Sequence, residues 1–316
     1  MIEHRRLTAA GVGIDLVSIG GTEPGPRVAV LGGVHGDELE GIVAAGQLVA
    51  RLRTASVQGQ VDVVAVANPL AHAALRRTSP DDDANLARVF PGAADGSPTQ
   101  RIADLLTREV IFPADLLVDL HSAGAHYEMP VFVGFDGSGP TAVASRAAAE
   151  AFGAPVVWRH SAVQPGRSIS TAAAAGVASI YVEGSGGGGL RGADLDVYLG
   201  GTLRVLARLG VIAAEHADVG APATDPVHLD GGDGDVDSSL AGTVDGLCVT
   251  RAEIGADLDA GDVVAEIVGI DGTALEVLRA PRAGRLMMLR RTAAVRRGDG
   301  IAMLGPAPSP SGGGRP

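Results

Sequence analysis

The chain has 316 residues, 46% of them hydrophobic, and a formal net charge of −12. This composition predicts a folded protein with one large domain, or with one medium-sized and one small domain. The net acidity argues against a nucleic-acid partner, because phosphates need a basic surface. All 25 basic residues are arginine, which excludes lysine-dependent chemistry such as Schiff bases and biotinyl or lipoyl attachment.

Cysteine content and hydropathy further restrict the class of protein to which the chain can belong. Cys248 is the only cysteine, so an intrachain disulfide and a thiolate zinc cluster are excluded. No apolar run is long enough to span a membrane, and the first residues lack the apolar stretch of a secretory signal. We therefore expect a cytoplasmic protein without membrane association.

Short apolar segments alternate with segments of helical periodicity through residue 216. The predicted strands are 12–18, 27–32, 61–67, 115–120, 130–134, 155–158 and 178–182, and the predicted helices are 38–53, 99–109, 140–152, 168–175 and 194–209. Strands separated by helices predict an α/β fold, with a mixed, mostly parallel sheet sandwiched by helices. In such sheets ligands bind at the carboxyl ends of strands.

The composition changes after residue 216. Residues 217–239 are rich in Gly, Asp and Pro and are interpreted as a linker between a catalytic domain, 1–216, and a small all-β domain, 240–305. The latter resembles biotinyl and lipoyl carrier domains. Because it has no lysine to carry a cofactor, we expect it to be a lid or a dimer element. Residues 306–316 are predicted to be a disordered tail.

Two predicted strand ends carry candidate metal ligands. His35 and Glu38 follow the strand 27–32 on a glycine-framed turn, and His121 follows the strand 115–120. Two histidines and one carboxylate can hold zinc and leave a coordination position open for water. The alternative is a loop histidine followed by an acid at a helix N-terminus. Asp119 shares a strand face with His121, so it either orients that histidine or makes a local turn bond.

Other polar side chains lie near the predicted sheet edge. Glu183 ends the strand 178–182 before a glycine run, which suits a general base, although a surface turn that follows an acid is the alternative. We also expect residues 126–128, His-Tyr-Glu, to line the pocket. His72 and His160 are interpreted as ordinary polar positions.

Several motifs occur in a characteristic order. They are His35-Gly36-Asp37-Glu38, Asn68-Pro69, Arg77-Thr78-Ser79-Pro80, the run from Asn85 to Gly92, Asp119-Leu120-His121-Ser122 and Val182-Glu183-Gly184. Together they resemble the succinylglutamate desuccinylase/aspartoacylase family, a branch of the zinc carboxypeptidase fold. The resemblance spans about residues 28–190, and the family's small C-terminal β domain matches 240–304.

The resemblance implies a role for each matching residue. His35, Glu38 and His121 would bind zinc, and Glu183 would be the general acid/base. Arg77 would stabilise the oxyanion, with Arg76 as the alternative, while Asn85 and Arg88 would bind the substrate carboxylate. Ala87 departs from the family pattern, which has Asn before the arginine. Loss of that amide hydrogen bond puts the choice of substrate in doubt.

The function expected from these residues is zinc-dependent removal of an acyl group from an N-acylated amino acid or a related small carboxylate. A metallo-carboxypeptidase that acts on short peptides could use the same ligands. A non-catalytic binding protein that has kept the fold is an alternative of another class. The expected partner is a small molecule, and a homo-oligomer is left open.

Overall fold

The computed structural model describes residues 1–236 and 239–308. Its largest element is a mixed sheet with the strand order β1-β2-β4-β3-β5-β9-β7-β8-β10. The strands of this sheet are β1 (Ile2–Ala9), β2 (Val12–Gly20), β3 (Arg27–Gly32), β4 (Gln60–Val64), β5 (Leu116–Leu120), β7 (Phe132–Asp136), β8 (Val156–His160), β9 (Ala178–Glu183) and β10 (Val227–Asp230). Strands β4, β3, β5 and β9 are parallel neighbours, whereas β7 is antiparallel to β9.

Helices cover both faces of this sheet. They are α1 (Leu39–Leu52), α2 (Pro69–Ala73), α3 (Pro98–Leu106), α4 (Ala142–Phe152), α5 (Ser168–Ala174) and α6 (Gly192–Arg208), with short helical turns at Leu86–Arg88, Thr107–Ile111 and Ala214–Ala217. Alternate residues of the strands point to opposite faces. Val28 and Val30 therefore pack in the core beneath α1, α4 and α6, and Ala29 and Leu31 pack in the core beneath α3 and α5. The predicted fold class is confirmed.

The described part of the chain contains a second, smaller β unit. Its strands are β11 (Leu240–Ala241), β12 (Gly246–Thr250), β13 (Asp257–Leu258), β14 (Val263–Val268), β15 (Ala274–Arg279), β16 (Gly284–Arg290), β17 (Ala294–Val295) and β18 (Gly300–Leu304), in two sheets. Strand β6 (Tyr127–Glu128), from the larger unit, pairs with β16. Residues 126–128 thus join the two units, and the prediction that they line the pocket is wrong.

The predicted linker needs a correction. Strand β10 lies within 217–239, and it adds to the edge of the large sheet by pairing in parallel with β8. Leu229 is buried there in a cluster with Trp158 and Met287. A linker interpretation is therefore wrong for residues 227–230, because they form a strand that pairs with β8, which is distant in sequence. The division into domains otherwise stays a prediction, and residues 309–316 of the predicted tail lie outside the described residues.

In the part of the chain that the structure describes, no helix has both the length and the apolar character needed to cross a bilayer.

Candidate metal centre

The topology brings three strand ends together. Because β3, β5 and β9 are adjacent and parallel, their carboxyl ends meet at one edge of the sheet. The β3 end leads to His35 and then to Glu38, which immediately precedes α1. His121 directly follows β5, and Glu183 is the last residue of β9. Gly36 allows this packing, since a Cβ there would lie 2.1 Å from the carbonyl carbon of Ala71 in α2.

The structure brings the three predicted metal ligands into one buried cluster. His35 Nδ1 is 2.7 Å from Glu38 Oε1, and His121 Nδ1 is 3.0 Å from Glu38 Oε2. The two Nδ1 atoms are 3.3 Å apart. One carboxylate therefore faces two imidazole nitrogens, and this donor set suits a zinc ion.

The other ring nitrogens of both histidines have acceptors. His35 Nε2 lies 2.9 Å from Asn85 Oδ1, which also accepts from the Ala87 amide N at 2.9 Å and is thereby identified as the oxygen. His121 Nε2 lies 3.0 Å from Asp119 Oδ2. Each Nε2 is therefore the donor nitrogen, and each Nδ1 is directed at Glu38. Asn85, predicted to bind substrate, holds the candidate ligand His35 through its side-chain oxygen.

The electrostatics of the cluster favour a positive charge at His121, whereas burial and the nearby Arg77 lower the pKa of His35. Burial lowers the pKa of His121, but the carboxylates of Asp119 and Glu38 outweigh it and raise that pKa well above its ordinary value. Burial likewise raises the pKa of Glu38, yet the two histidines hold it well below its usual range. A divalent cation would supply the positive charge in place of a proton, so the residues present fit a metal ion.

Further polar contacts fix the positions of the ligands. Asp119 Oδ2 also accepts a hydrogen bond from the Ser168 hydroxyl. Of the two roles left open for this aspartate, it therefore has the first, orienting His121. The carboxylate of Glu40 accepts from Ser122 Oγ at 2.6 Å and from the Gly186 amide N at 3.1 Å. Glu40 therefore ties the loop after β5 to the loop after β9.

The two neighbouring arginines, 76 and 77, have different surroundings. Arg77 Nη1 is 2.9 Å from Glu38 Oε1 and 3.3 Å from His35 Nδ1. Arg76 pairs with Asp83 at the surface, at 3.3 Å. Of the two, Arg77 is thus the one that faces the cluster.

Arg88 lines a cavity together with His35 and His121, but it has a partner that the sequence did not indicate. Its Nη1 donates to the Ala87 carbonyl at 3.1 Å, and its Nη2 lies 3.3 Å from Asp235 Oδ1. Asp235 Oδ2 also binds Arg167 Nη2 at 2.9 Å. The carboxylate of Asp235 therefore holds two arginines near Ala87, which has no side-chain amide. No motif marked Arg167, and Asp235 lies in the segment predicted to be a linker.

Glu183 borders the cavity, which has a volume of about 80 Å³. Its Oε2 is buried and has no hydrogen-bond partner among the described residues. Burial and the nearby Glu38 carboxylate raise its pKa well above the ordinary value. A carboxyl group in this setting is suited to hold and release a proton.

The cavity is also lined by residues that no sequence motif indicated. His160 is fully buried and lines the cavity, so its interpretation as an ordinary polar position is wrong. Asp233, Gly234 and Asp235, which follow β10, form part of the wall. Sequence spacing could not reveal them, because strand pairing brings them to the cavity.

Comparisons with known proteins agree with this geometry. Residues 24–209 match the succinylglutamate desuccinylase/aspartoacylase catalytic domain. The chain is 34% identical over 285 residues to the N-alpha-acetyl-L-2,4-diaminobutyric acid deacetylase of Halomonas elongata, covering 89% of this chain and 82% of that protein. A crystal structure of a succinylglutamate desuccinylase from a Silicibacter species aligns with a TM-score of 0.85 and 30% identity, covering 98% of this chain and 95% of that one.

A further solved structure is the product-bound ectoine utilization protein EutE (DoeB) of Ruegeria pomeroyi. It aligns with a TM-score of 0.83 and 29% identity, covering 97% of this chain and 95% of that one. The predicted enzyme class, a hydrolase of amide bonds in N-acyl amino acids, is confirmed. The chain belongs to the succinylglutamate desuccinylase/aspartoacylase family.

Proposed function

We propose that the protein is a zinc-dependent deacylase that releases a free amino acid from an N-acyl amino acid. The observation that carries this proposal is the convergence of His35 Nδ1, His121 Nδ1 and the Glu38 carboxylate in the cavity that Glu183 borders. The name of the Halomonas relative makes N-α-acetyl-L-2,4-diaminobutyrate the first substrate to test. The cytoplasmic location and the oligomeric state stay predictions.

His35, Glu38 and His121 would hold the zinc ion. When bound, zinc lowers the pKa of a water molecule to about 7 and withdraws electron density from a carbonyl oxygen. Asp119 and Asn85 keep the two imidazoles in the orientation that binding requires.

Proton transfer is assigned to Glu183. Its Oε2 has no partner in the described structure, so it is available to accept a proton from the attacking water. Because burial raises the pKa of this carboxyl, it can hold that proton and then donate it to the leaving amine nitrogen. Without this donation the amine would leave as a poorly stabilised anion.

The arginines are assigned to the negative charges of the substrate. Arg77 presents guanidinium donors next to the cluster, where negative charge develops on the acyl oxygen. Arg88 and Arg167, held by Asp235, would bind the carboxylate through charge-assisted hydrogen bonds. The amide nitrogen of Asn85 is a further donor for the same carboxylate.

The test combines a substrate panel with one variant. Zinc-loaded protein is assayed for amine release from N-acetyl amino acids and from acylated dipeptides. Glu183→Gln should retain zinc and lower kcat by about 10²- to 10⁴-fold, since that is the usual contribution of general acid–base catalysis. Glu150→Gln, an exposed position in α4, is the matched control. Near wild-type turnover of Glu183→Gln would refute the role of Glu183, and activity on dipeptides alone would refute the substrate class.

A further inference from the structure

The segment 231–236 gives the cavity wall two carboxylates in different settings. Asp235 is bound by Arg88 and Arg167. Asp233 Oδ1 accepts from the Asp235 amide N at 3.1 Å, and its Oδ2 accepts from Gln164 Nε2 at 3.3 Å. Among the described residues, no arginine or histidine forms an ion pair with Asp233. One of the two carboxylates is thus neutralised, and the other is not.

Asp233 stays ionised in this setting. Burial raises its pKa, but the hydrogen bonds from the Asp235 amide and from Gln164 outweigh it and lower the pKa below the ordinary value. His160 does not neutralise this charge, because burial lowers its pKa to about 4 and leaves the ring uncharged at neutral pH. Among the residues that the structure describes, no cation is paired with the negative charge that Asp233 gives this cavity.

A second observation comes from His160. The ring is fully buried and lines the same cavity, and Nε2 lies 2.7 Å from the Tyr181 hydroxyl. Its Nδ1 has no hydrogen-bond partner in the described structure. In the tautomer that donates from Nε2 to Tyr181, Nδ1 is an acceptor. With His160 in this tautomer, the cavity wall presents an acceptor without a partner and a carboxylate without a paired cation among the described residues. Together they suit a ligand with several N–H donors.

The loop that carries Asp233 is fixed against this wall. Gly234 has a φ of +65°, and a Cβ at this position would lie 2.6 Å from His160 Cε1 and 2.8 Å from the Tyr181 hydroxyl oxygen. The backbone can approach the two rings this closely because residue 234 is glycine. The Asp235 amide then orients the Asp233 carboxylate.

We propose that Asp233 is a specificity-determining residue that binds an ammonium group on the side chain of the substrate. The preferred substrates would then be N-α-acyl diamino acids. This inference rests on the proposed function, because it assigns a binding partner to each group of the same N-acyl amino acid substrate. The carboxylate contacts Arg88 and Arg167, the acyl group faces the metal ligands, and the side-chain ammonium contacts Asp233.

The test compares two substrates of equal length. N-α-acetyl-L-2,4-diaminobutyrate carries the ammonium, and N-acetyl-L-norvaline has a methyl group in its place. Asp233→Asn should lower kcat/KM for the first by about 10- to 100-fold, mainly through KM, and change the second by less than about threefold. Asp233→Glu should restore part of the loss. Asp225→Asn removes an equal charge from an exposed position nearby and should change neither substrate.

Other outcomes would overturn the inference. Equal losses on both substrates would indicate a structural role for Asp233, and a wild type with no preference for the ammonium substrate would contradict the proposal directly. If zinc-loaded wild type cleaves neither these two substrates nor any other N-acetyl amino acid of the panel, the proposed function fails, and calorimetry still tests Asp233. In that case 2,4-diaminobutyrate should bind more tightly than norvaline, and Asp233→Asn should remove the difference. The absence of such a difference in the wild type would refute the inference.

Discussion

Replacing Asp119 with Asn tests how the protein tunes its candidate metal centre. Asp119 Oδ2 is 3.0 Å from His121 Nε2 and accepts from the Ser168 hydroxyl as well, whereas Oδ1 is buried and has no partner in the part of the chain that the structure describes. An asparagine can place its oxygen at the Oδ2 position and keep both hydrogen bonds. The substitution therefore removes the charge and leaves the shape almost unchanged.

The expected result is weaker zinc binding. Without the carboxylate charge, the His121 imidazole is a poorer electron-pair donor, and changes of this kind weaken metal binding by about 10- to 100-fold, or about 1.4–2.7 kcal/mol. Asp119→Ala should have a larger effect, because it leaves His121 Nε2 and the Ser168 hydroxyl without their acceptor. The zinc affinity of each variant is measured by competition with a chromophoric chelator at fixed pH and salt.

Asp136→Asn is a matched control for this experiment. Asp136 is also a buried aspartate at a strand end, and it accepts from the hydroxyl of Ser138 instead of from a ligand histidine. Its replacement should leave the zinc affinity within about twofold of wild type, since it touches none of the metal donors. A zinc affinity of Asp119→Asn equal to that of the control would refute the tuning argument. An equal affinity of Asp119→Ala would show that His121 does not depend on this aspartate.

Two further predictions concern the wall near β10. Gly234→Ala should lower the free energy of unfolding by about 1–3 kcal/mol more than Gly139→Ala. Both glycines have a positive φ, but a Cβ at Gly139 meets nothing within 4 Å, so equal losses in urea titrations would contradict the steric argument. His160 has its pKa lowered from 6.5 to about 4 by burial. The folded state therefore binds this proton less well than the unfolded chain, and about 3 kcal/mol of stability is lost as the pH falls from 6.5 to about 4. His160→Gln should make the free energy of unfolding less dependent on pH, whereas the exposed His228→Gln should keep the wild-type pH dependence. The same pH dependence in both variants would rule out His160 as its cause.

The metal cluster could be predicted because its residues follow well-marked strands. The apolar runs of β3, β5 and β9 gave the strand positions to within a few residues. The rule that ligands gather at the carboxyl ends of parallel strands then placed His35, His121 and Glu183 near one another. The choice between Arg76 and Arg77 could not be made in this way, because adjacent residues of a loop have no fixed direction until tertiary contacts form.

The cavity wall formed by the residues after β10 could not be predicted. Strand β10 has four residues between Pro226 and a glycine-rich turn, so its local composition indicates a loop. Pairing with β8 makes it a strand, and that pairing depends on the completed sheet. Arg167 had no distinguishing feature either, since it is one of 25 arginines in a chain without lysine.

The reaction centre and the wall opposite it are encoded by stretches of the gene that lie far apart. The three candidate metal donors fall within residues 35–121, and the six-residue turn after β10 falls within 231–236. Descendants of such a gene can therefore acquire new substrates by mutation of that turn while the hydrolytic machinery is inherited intact. For the enzyme engineer, a small library restricted to these six codons is the economical starting point for changing selectivity.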